Sequence, residues 1–207
     1  WEKHLLPLRD SLGDSFRDSL VSANHDGAGG RRPLRALSLG SGDGSAVCWL
    51  IDEILQQPDD RLVCITSRDS EPLKENLGRL PESNKGTLTV GDCAESLMAL
   101  LGKPIDRPTD DNTESEVSDR TFDAGAFDVI YLQDDRKDAD YLLGLATQAW
   151  KLLRPNGLMF FKDYRWRHPT NVDKSSWVGI DQFIKTVKGE MRILHRSHQV
   201  ILEKENA

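Results

Sequence analysis

"LRALSLGSGDGSAVCWLIDEI", Leu34 to Ile54, is the stretch on which the reading of the whole chain turns. It opens as a short apolar run and passes through glycines at 40, 42 and 44. It then continues with Val47, Leu50, Ile51 and Ile54 at helical spacing. A short apolar run bounded by turn residues reads as a buried strand, and apolar residues at i, i+3, i+4 and i+7 read as one face of a helix. Strand, glycine turn and helix in that order open a βαβ unit. Glycines at the turn let the backbone enter conformations closed to other residues and let a ligand approach its amides closely.

Working outward, the alternation repeats. "RLVCITS" (61–67), "GTLTVGD" (86–92), "FDVIYLQ" (127–133) and "GLMFFKDY" (157–164) read as four further strands. "EPLKENLGRL", "AESLMALL" and "DADYLLGLATQAWKLL" read as the helices that join them. Such strands suit a mostly parallel sheet covered by helices on both faces, so the fold expected is a doubly wound α/β domain over 34–207. The tail adds a helix around "WVGIDQFIKTVKG" and at least one strand in "MRILHRSHQVILEK". Before the domain, Leu5, Leu8, Leu12, Phe16 and Leu20 predict an N-terminal amphipathic helix over 1–23, and the glycine-rich residues 24–33 predict a linker. Residues 103–125, polar and acidic, predict a mobile surface insertion.

A chain of 207 residues with 38% hydrophobic content can bury one complete core. Its net charge of -7 gives no general attraction to nucleic acid or to an anionic membrane surface. No apolar run approaches the roughly 20 residues that cross a bilayer, and residues 1–16 are amphipathic, unlike a signal sequence. Cys48, Cys64 and Cys93 lack metal-type spacing and read as buried free thiols. A soluble protein of the reducing cytoplasm is the expectation.

A dinucleotide fingerprint, G-x-G-x-x-G, would need glycine at position 45, where this chain has Ser45. Its G-x-G-x-G spacing after a first strand instead resembles the S-adenosylmethionine (SAM) loop of class I methyltransferases. The later blocks "GDCAESLMALL", "FDVIYLQDDRKDADYLLGLATQAWKLLRPNGLMFFKDYRW" and "IDQFIKTVKGEMRILHRSHQVILEK" are similar, in the same order, to a subgroup that includes bacterial small-molecule and sugar O-methyltransferases. The most specific is "WKLLRPNGLMFFKDY". The resemblance spans about 34–204. It implies a Rossmann-like methyltransferase fold, SAM as cofactor and S-adenosylhomocysteine (SAH) as its product.

Carried over residue by residue, the resemblance places Gly40, Ser41, Gly42, Asp43 and Gly44 around the amino-acid part and ribose of SAM. Asp92 and Cys93 would lie near the adenine, and Gln133 to Arg136 would face the methyl group and its acceptor. Lys162, Asp163 and Tyr164 would close the pocket. Asp92 also reads as the N-cap of "AESLMALL". Four positions depart from the family. Ser38 stands where relatives carry an acid facing the cofactor's ammonium. Thr66 stands where an acid takes the ribose hydroxyls, with Asp69 the nearby substitute. Gln133 and Arg136 replace the aspartate and histidine of I-D-G-S-H.

An arginine cannot serve as the base, so the acceptor's proton needs another receiver. His168, just past the fifth strand, is the best substitute, with Asp134, Lys162 and Asp163 as its catalytic neighbours. Asp134 or Asp135 with Asp163 offers oxygen ligands for Mg²⁺, although solvated loop carboxylates are the simpler account and no metal is expected. His195 and His198 read as strand-surface residues. From Lys151 onward eleven basic residues face six acidic ones, and "KDYRWRHP" gathers three of those cations and His168 beside two aromatics. The first reading is therefore a SAM-dependent methyltransferase acting on a small-molecule or sugar hydroxyl. The second is a methyltransferase-like binding or assembly module without activity. The third, a nucleic-acid methyltransferase using the basic loop, is disfavoured by the overall acidity. The oligomeric state stays open.

Overall fold

The computed structural model describes residues 25–26, 30–67, 71–78, 85–101, 124–133, 136 and 138–206. The expected helix over 1–23 lies outside these residues, as do most of the insertion at 103–125 and Asp69, Asp134 and Asp135. Within the expected linker, His25–Asp26 pairs antiparallel with Gly30–Arg31.

Seven strands form the main sheet: β1 (Arg35–Leu39), β2 (Arg61–Thr66), β3 (Gly86–Val90), β4 (Phe127–Leu132), β5 (Leu153–Phe161), β6 (Met191–Arg196) and β7 (Val200–Lys204). Their spatial order is β3-β2-β1-β4-β5-β7-β6. The first five run parallel, while β7 inserts antiparallel between β5 and β6. That insertion separates this sheet from the dinucleotide-binding order 3-2-1-4-5-6.

Among the described residues, five α-helices cover the sheet: α1 (Ser45–Trp49), α2 (Glu71–Gly78), α3 (Cys93–Leu100), α4 (Ala139–Leu152) and α5 (Ser176–Thr186). Helix α1 runs on into a π-helical turn, Leu50–Ile54, closed by Leu55 N donating to the Leu50 carbonyl at 2.9 Å. The alternation of side chains along each strand divides the core in two. Ala36, Cys64, Val129, Tyr131 and Phe160 meet Val47, Leu50 and Ile51 of the first helix and Leu73 of α2. Leu37, Leu39, Ile130, Leu132, Met159 and Phe161 meet Leu97 of α3, Leu142 and Trp150 of α4, and Phe183 of α5. Burying each of these larger side chains contributes about 1.5–3 kcal/mol. The crossovers thus lie on both faces, and the sequence of their insertion reverses between β1 and β4.

Two sets of contacts fasten the amino end of the parallel strands. At the amino end of β4, the wholly buried Asp128 accepts from Arg32 Nη2 at 2.6 Å and from Arg35 N at 2.7 Å, and it pairs with Arg154. Below β5, Lys204 Nζ donates to the Trp150 and Leu153 carbonyls, both at 2.8 Å, and so closes the end of α4. The opposite, carboxyl end is left for a ligand.

Candidate functional site

The hydrogen-bond ladder of the sheet runs one residue past the strands at this end. Gly91 N donates to the Thr66 carbonyl (2.8 Å), Gly40 N to Ile65 (2.8 Å), Gln133 N to Leu39 (2.9 Å) and Lys162 N to Leu132 (3.0 Å). These bonds hold the ends of β3, β2, β1, β4 and β5 in one row. The reversal of winding between β1 and β4 makes the middle of that row the crevice where ligands bind in open α/β sheets.

The glycine turn occupies that crevice. Gly40, Gly42 and Gly44 all have positive φ, of 73°, 54° and 84°. A side chain would be strained at each. A Cβ at Gly42 would stand 2.3 Å from Gln133 Nε2, so the carboxamide of Gln133 rests directly on the loop. Lys162 Nζ in turn donates to Gln133 Oε1 at 3.1 Å. Gly44 packs against α2, where an added Cβ would lie 2.6 Å from Leu73 Cδ1. The turn is further pinned by Asn76 Nδ2 donating to the Asp43 carbonyl at 2.8 Å. The Asp43 carboxylate stays exposed and accepts from Ser45 N at 3.2 Å.

Two buried hydroxyls lie at this turn without a hydrogen-bond partner: Ser38 Oγ, two residues before Gly40, and Ser41 Oγ, within it. Ser38 is paired in register with Tyr131 of β4 and Cys64 of β2. Tyr131 is buried, and burial, followed by the negative charges of Asp163 and Asp43, holds its phenol well above the usual range. Asp163 follows β5 with a φ of 57°, an uncommon conformation that aspartate tolerates better than most residues. The sequence reading missed Tyr131, because it sits inside the apolar run "FDVIYLQ" and looks like core.

At the β3 side of the crevice Asp92 is the N-cap of α3. Its Oδ1 accepts from Ala94 N at 2.9 Å and Glu95 N at 3.0 Å, and its Oδ2 pairs with Arg136. The Arg136 guanidinium also lies 4.1 Å from the centre of the Tyr141 ring. Burial, with the charges of Cys93 and Asp92, pushes the Tyr141 phenol up to about 12. Arg136 therefore faces Asp92 and Tyr141, where the resemblance had it facing an acceptor. Cys93 is buried, its Sγ 3.5 Å from the Ile65 carbonyl, and Thr66 is buried at the end of β2.

Beyond β5 two of the expected site residues make hydrogen bonds within their own surroundings. His168 Nδ1 accepts from Asn171 N at 3.0 Å and Thr170 N at 3.3 Å. Those bonds use the Nδ1 lone pair, which leaves the proton of a neutral ring on Nε2. With its backbone N donating to Ser175 Oγ at 2.9 Å, His168 braces the loop before α5. Tyr164 packs, partly buried, against the core on the α3–α5 side of the sheet. Its hydroxyl donates to Asp181 Oδ1 at 3.0 Å and accepts from Arg196 Nε at 2.9 Å. In the basic loop, Arg167 stacks on Trp177 at 5.0 Å and Trp166 meets the His168 ring edge-on at 5.7 Å. Among the described residues no group of three His, Cys, Asp or Glu could hold a metal, and no helix is long and apolar enough to cross a membrane.

No protein-family model matches the chain, and no curated protein matches it in sequence. Solved structures do match in shape. An O-methyltransferase from Bacillus cereus, solved with SAH, superposes with a TM-score of 0.59 over 97% of this chain and 96% of its own, at 15% identity. The fold is that of the class I methyltransferases. The O-methyltransferase TomG of Streptomyces achromogenes, solved with SAM and involved in tomaymycin synthesis, gives a TM-score of 0.58 at 17% identity. That match covers 100% of this chain and 97% of TomG. A methyltransferase from Geobacter sulfurreducens gives 0.53 at 15% identity over 85% and 72% of the two chains. The methyltransferase fold is thus shared across nearly the full length of two of these three neighbours, while most side chains differ.

Proposed function

We propose that this chain is a SAM-dependent methyltransferase that transfers a methyl group to an oxygen of a small-molecule acceptor. The observation that carries the reading is the positive-φ glycine turn at the switch point, bordered by the partnerless buried hydroxyls of Ser38 and Ser41. A buried hydroxyl without a partner is uncommon, and two beside one ligand crevice fit a ligand with hydrogen-bonding groups. The O-methyltransferase neighbours from Bacillus cereus and Streptomyces achromogenes, solved with SAH and SAM, support the same cofactor here.

When bound, SAM supplies an electrophilic methyl for in-line displacement by the acceptor oxygen. The work left to the chain is alignment and the handling of the acceptor's proton. Gly40, Gly42 and Gly44 carry the turn through positive φ at the switch point, and Thr66 ends β2 beside it. Gln133 and Lys162 flank the turn from β4 and β5, as their 3.1 Å hydrogen bond requires. The Lys162 ammonium would stabilise an acceptor oxygen that releases its proton to solvent, which suits an acidic hydroxyl such as a phenol better than a sugar alcohol.

A second reading is a binding module without transfer, favoured by the Gln133 carboxamide lying on Gly42 and by Asp92 being committed to Arg136. Methyl-labelled SAM offered with a panel of phenols, catechols and sugars separates the two. Label recovered in a phenolic ether is the expected result. Cofactor binding without label in any acceptor would favour the module.

A further inference from the structure

We propose that the Gln133 side chain is an internal occupant of the Gly40–Gly44 turn, which the cofactor displaces on binding, and that Lys162 holds it there. The inference rests on the cofactor reading above and concerns the affinity of that same site.

Gln133 follows β4, and its backbone N donates to the Leu39 carbonyl at 2.9 Å, which sets the residue beside Gly40 at the switch point. Its side chain turns onto the glycines. A Cβ on Gly42 would meet Gln133 Nε2 at 2.3 Å, Cδ at 3.2 Å and Oε1 at 3.3 Å, so the whole carboxamide lies against this residue. On the other side, Oε1 accepts from Lys162 Nζ at 3.1 Å. Lys162 is fixed in turn beside β4, because its backbone N donates to the Leu132 carbonyl at 3.0 Å. The carboxamide is thus gripped between the turn that follows β1 and the ammonium that follows β5. A glutamine loses much rotamer freedom when held in one place, and contact on both sides offsets that loss.

Glycine in such a turn admits a ligand close to the backbone. At Gly42 the group in that close position is the carboxamide, too near to leave space even for a methyl group. A ligand on this side of Gly42 must therefore take the place of the side chain. The exchange is favoured by what Gln133 leaves undone. The buried hydroxyls of Ser38 and Ser41 keep no hydrogen-bond partner while the carboxamide is in place, so a ligand with more polar groups satisfies the turn better. It is opposed by the bond from Lys162. Apparent affinity falls by the fraction of molecules whose turn is uncovered, so removing the occupant should strengthen binding.

SAH is the probe, because unlike SAM it has no sulfonium charge to respond directly to Lys162. Calorimetric titration would compare the wild-type chain, Gln133→Ala, Lys162→Met and the double variant, with melting temperatures to check that each folds. Gln133→Ala is expected to bind SAH about 3- to 10-fold more tightly, the effect of one modest hydrogen bond no longer in competition. Lys162→Met is expected to tighten SAH by about two- to fivefold, and to add nothing once Gln133 is alanine, because it acts through the carboxamide. Unchanged or weaker binding in Gln133→Ala would overturn the proposal, the weaker result making Gln133 a cofactor ligand. A gain from Lys162→Met that persists in the double variant would overturn the role given to Lys162. If neither the wild-type chain nor Gln133→Ala bound SAH at millimolar concentration, the cofactor reading itself would fail, a result distinct from both.

Discussion

Asp128→Ala is expected to destabilise the fold by about 3–5 kcal/mol, the loss that follows when one partner of a buried ion pair is removed. Asp128 is 0% exposed within β4, and its two oxygens gather Arg32, the Arg35 amide and Arg154. Arg154 is itself only 12% exposed, and its Nε and Nη2 have no hydrogen-bond acceptor in good geometry. Without the carboxylate its charge would remain buried with no counter-ion. Arg32 is about a third exposed and can turn to water, so most of the loss belongs to Arg154. Urea denaturation measures the effect. Asp128→Ala combined with Arg154→Met should recover much of the stability, because an apolar pair replaces a broken ionic one. A single variant as stable as the wild type would contradict this account of the sheet's amino end.

Gly179→Val is expected to destabilise the fold by about 3 kcal/mol or more, at or beyond the upper end for overpacked cores. Gly179 lies on α5 where it crosses the start of α4, and a Cβ there would stand 2.3 Å from the Ala139 carbonyl oxygen. The neighbour is backbone and cannot rotate aside, so the two helices must separate. Gly144, on the exposed side of α4, has nothing within 4 Å of its would-be Cβ. Gly144→Ala is therefore the control, with an expected gain of about 0.4–1 kcal/mol from the stiffer unfolded chain. Thermal midpoints of the two variants should move in opposite directions.

The layered fold was legible because its signals are local. Apolar runs, the glycine turn and helical spacing each lie within a few residues, and the first four parallel strands fall where the sequence puts them. Where the reading went astray, the deciding interaction was distant in sequence. Pro155-Asn156-Gly157 looks like a turn before β5, yet β5 starts at Leu153. The strand absorbs the three residues as an irregularity between the Phe127–Leu153 and Val129–Leu158 pairs, with Asn156 at a φ of 58°. The tail strand proved to be the hairpin of β6 and β7.

The site divides in the same way. The glycine turn is visible in its spacing, and the alternative of Asp92 as an N-cap is visible in the helix it precedes. Nothing in "RWRHPTN" shows that the backbone of Thr170 and Asn171 folds back onto His168 Nδ1. Nor does a tyrosine within an apolar strand announce that two carboxylates face it, or Ser38 that its hydroxyl lacks a partner. Those facts depend on register between strands and on loop geometry, which composition and periodicity do not carry.

The central claim is that the Gly40–Gly44 turn is a working SAM-type site, and calorimetric titration of the purified chain with SAH tests it most directly. The account predicts binding in the micromolar range, lost in Gly42→Trp, whose side chain would collide with the Gln133 carboxamide that rests on the turn. No heat and no thermal shift for the wild-type chain at millimolar SAH would contradict it.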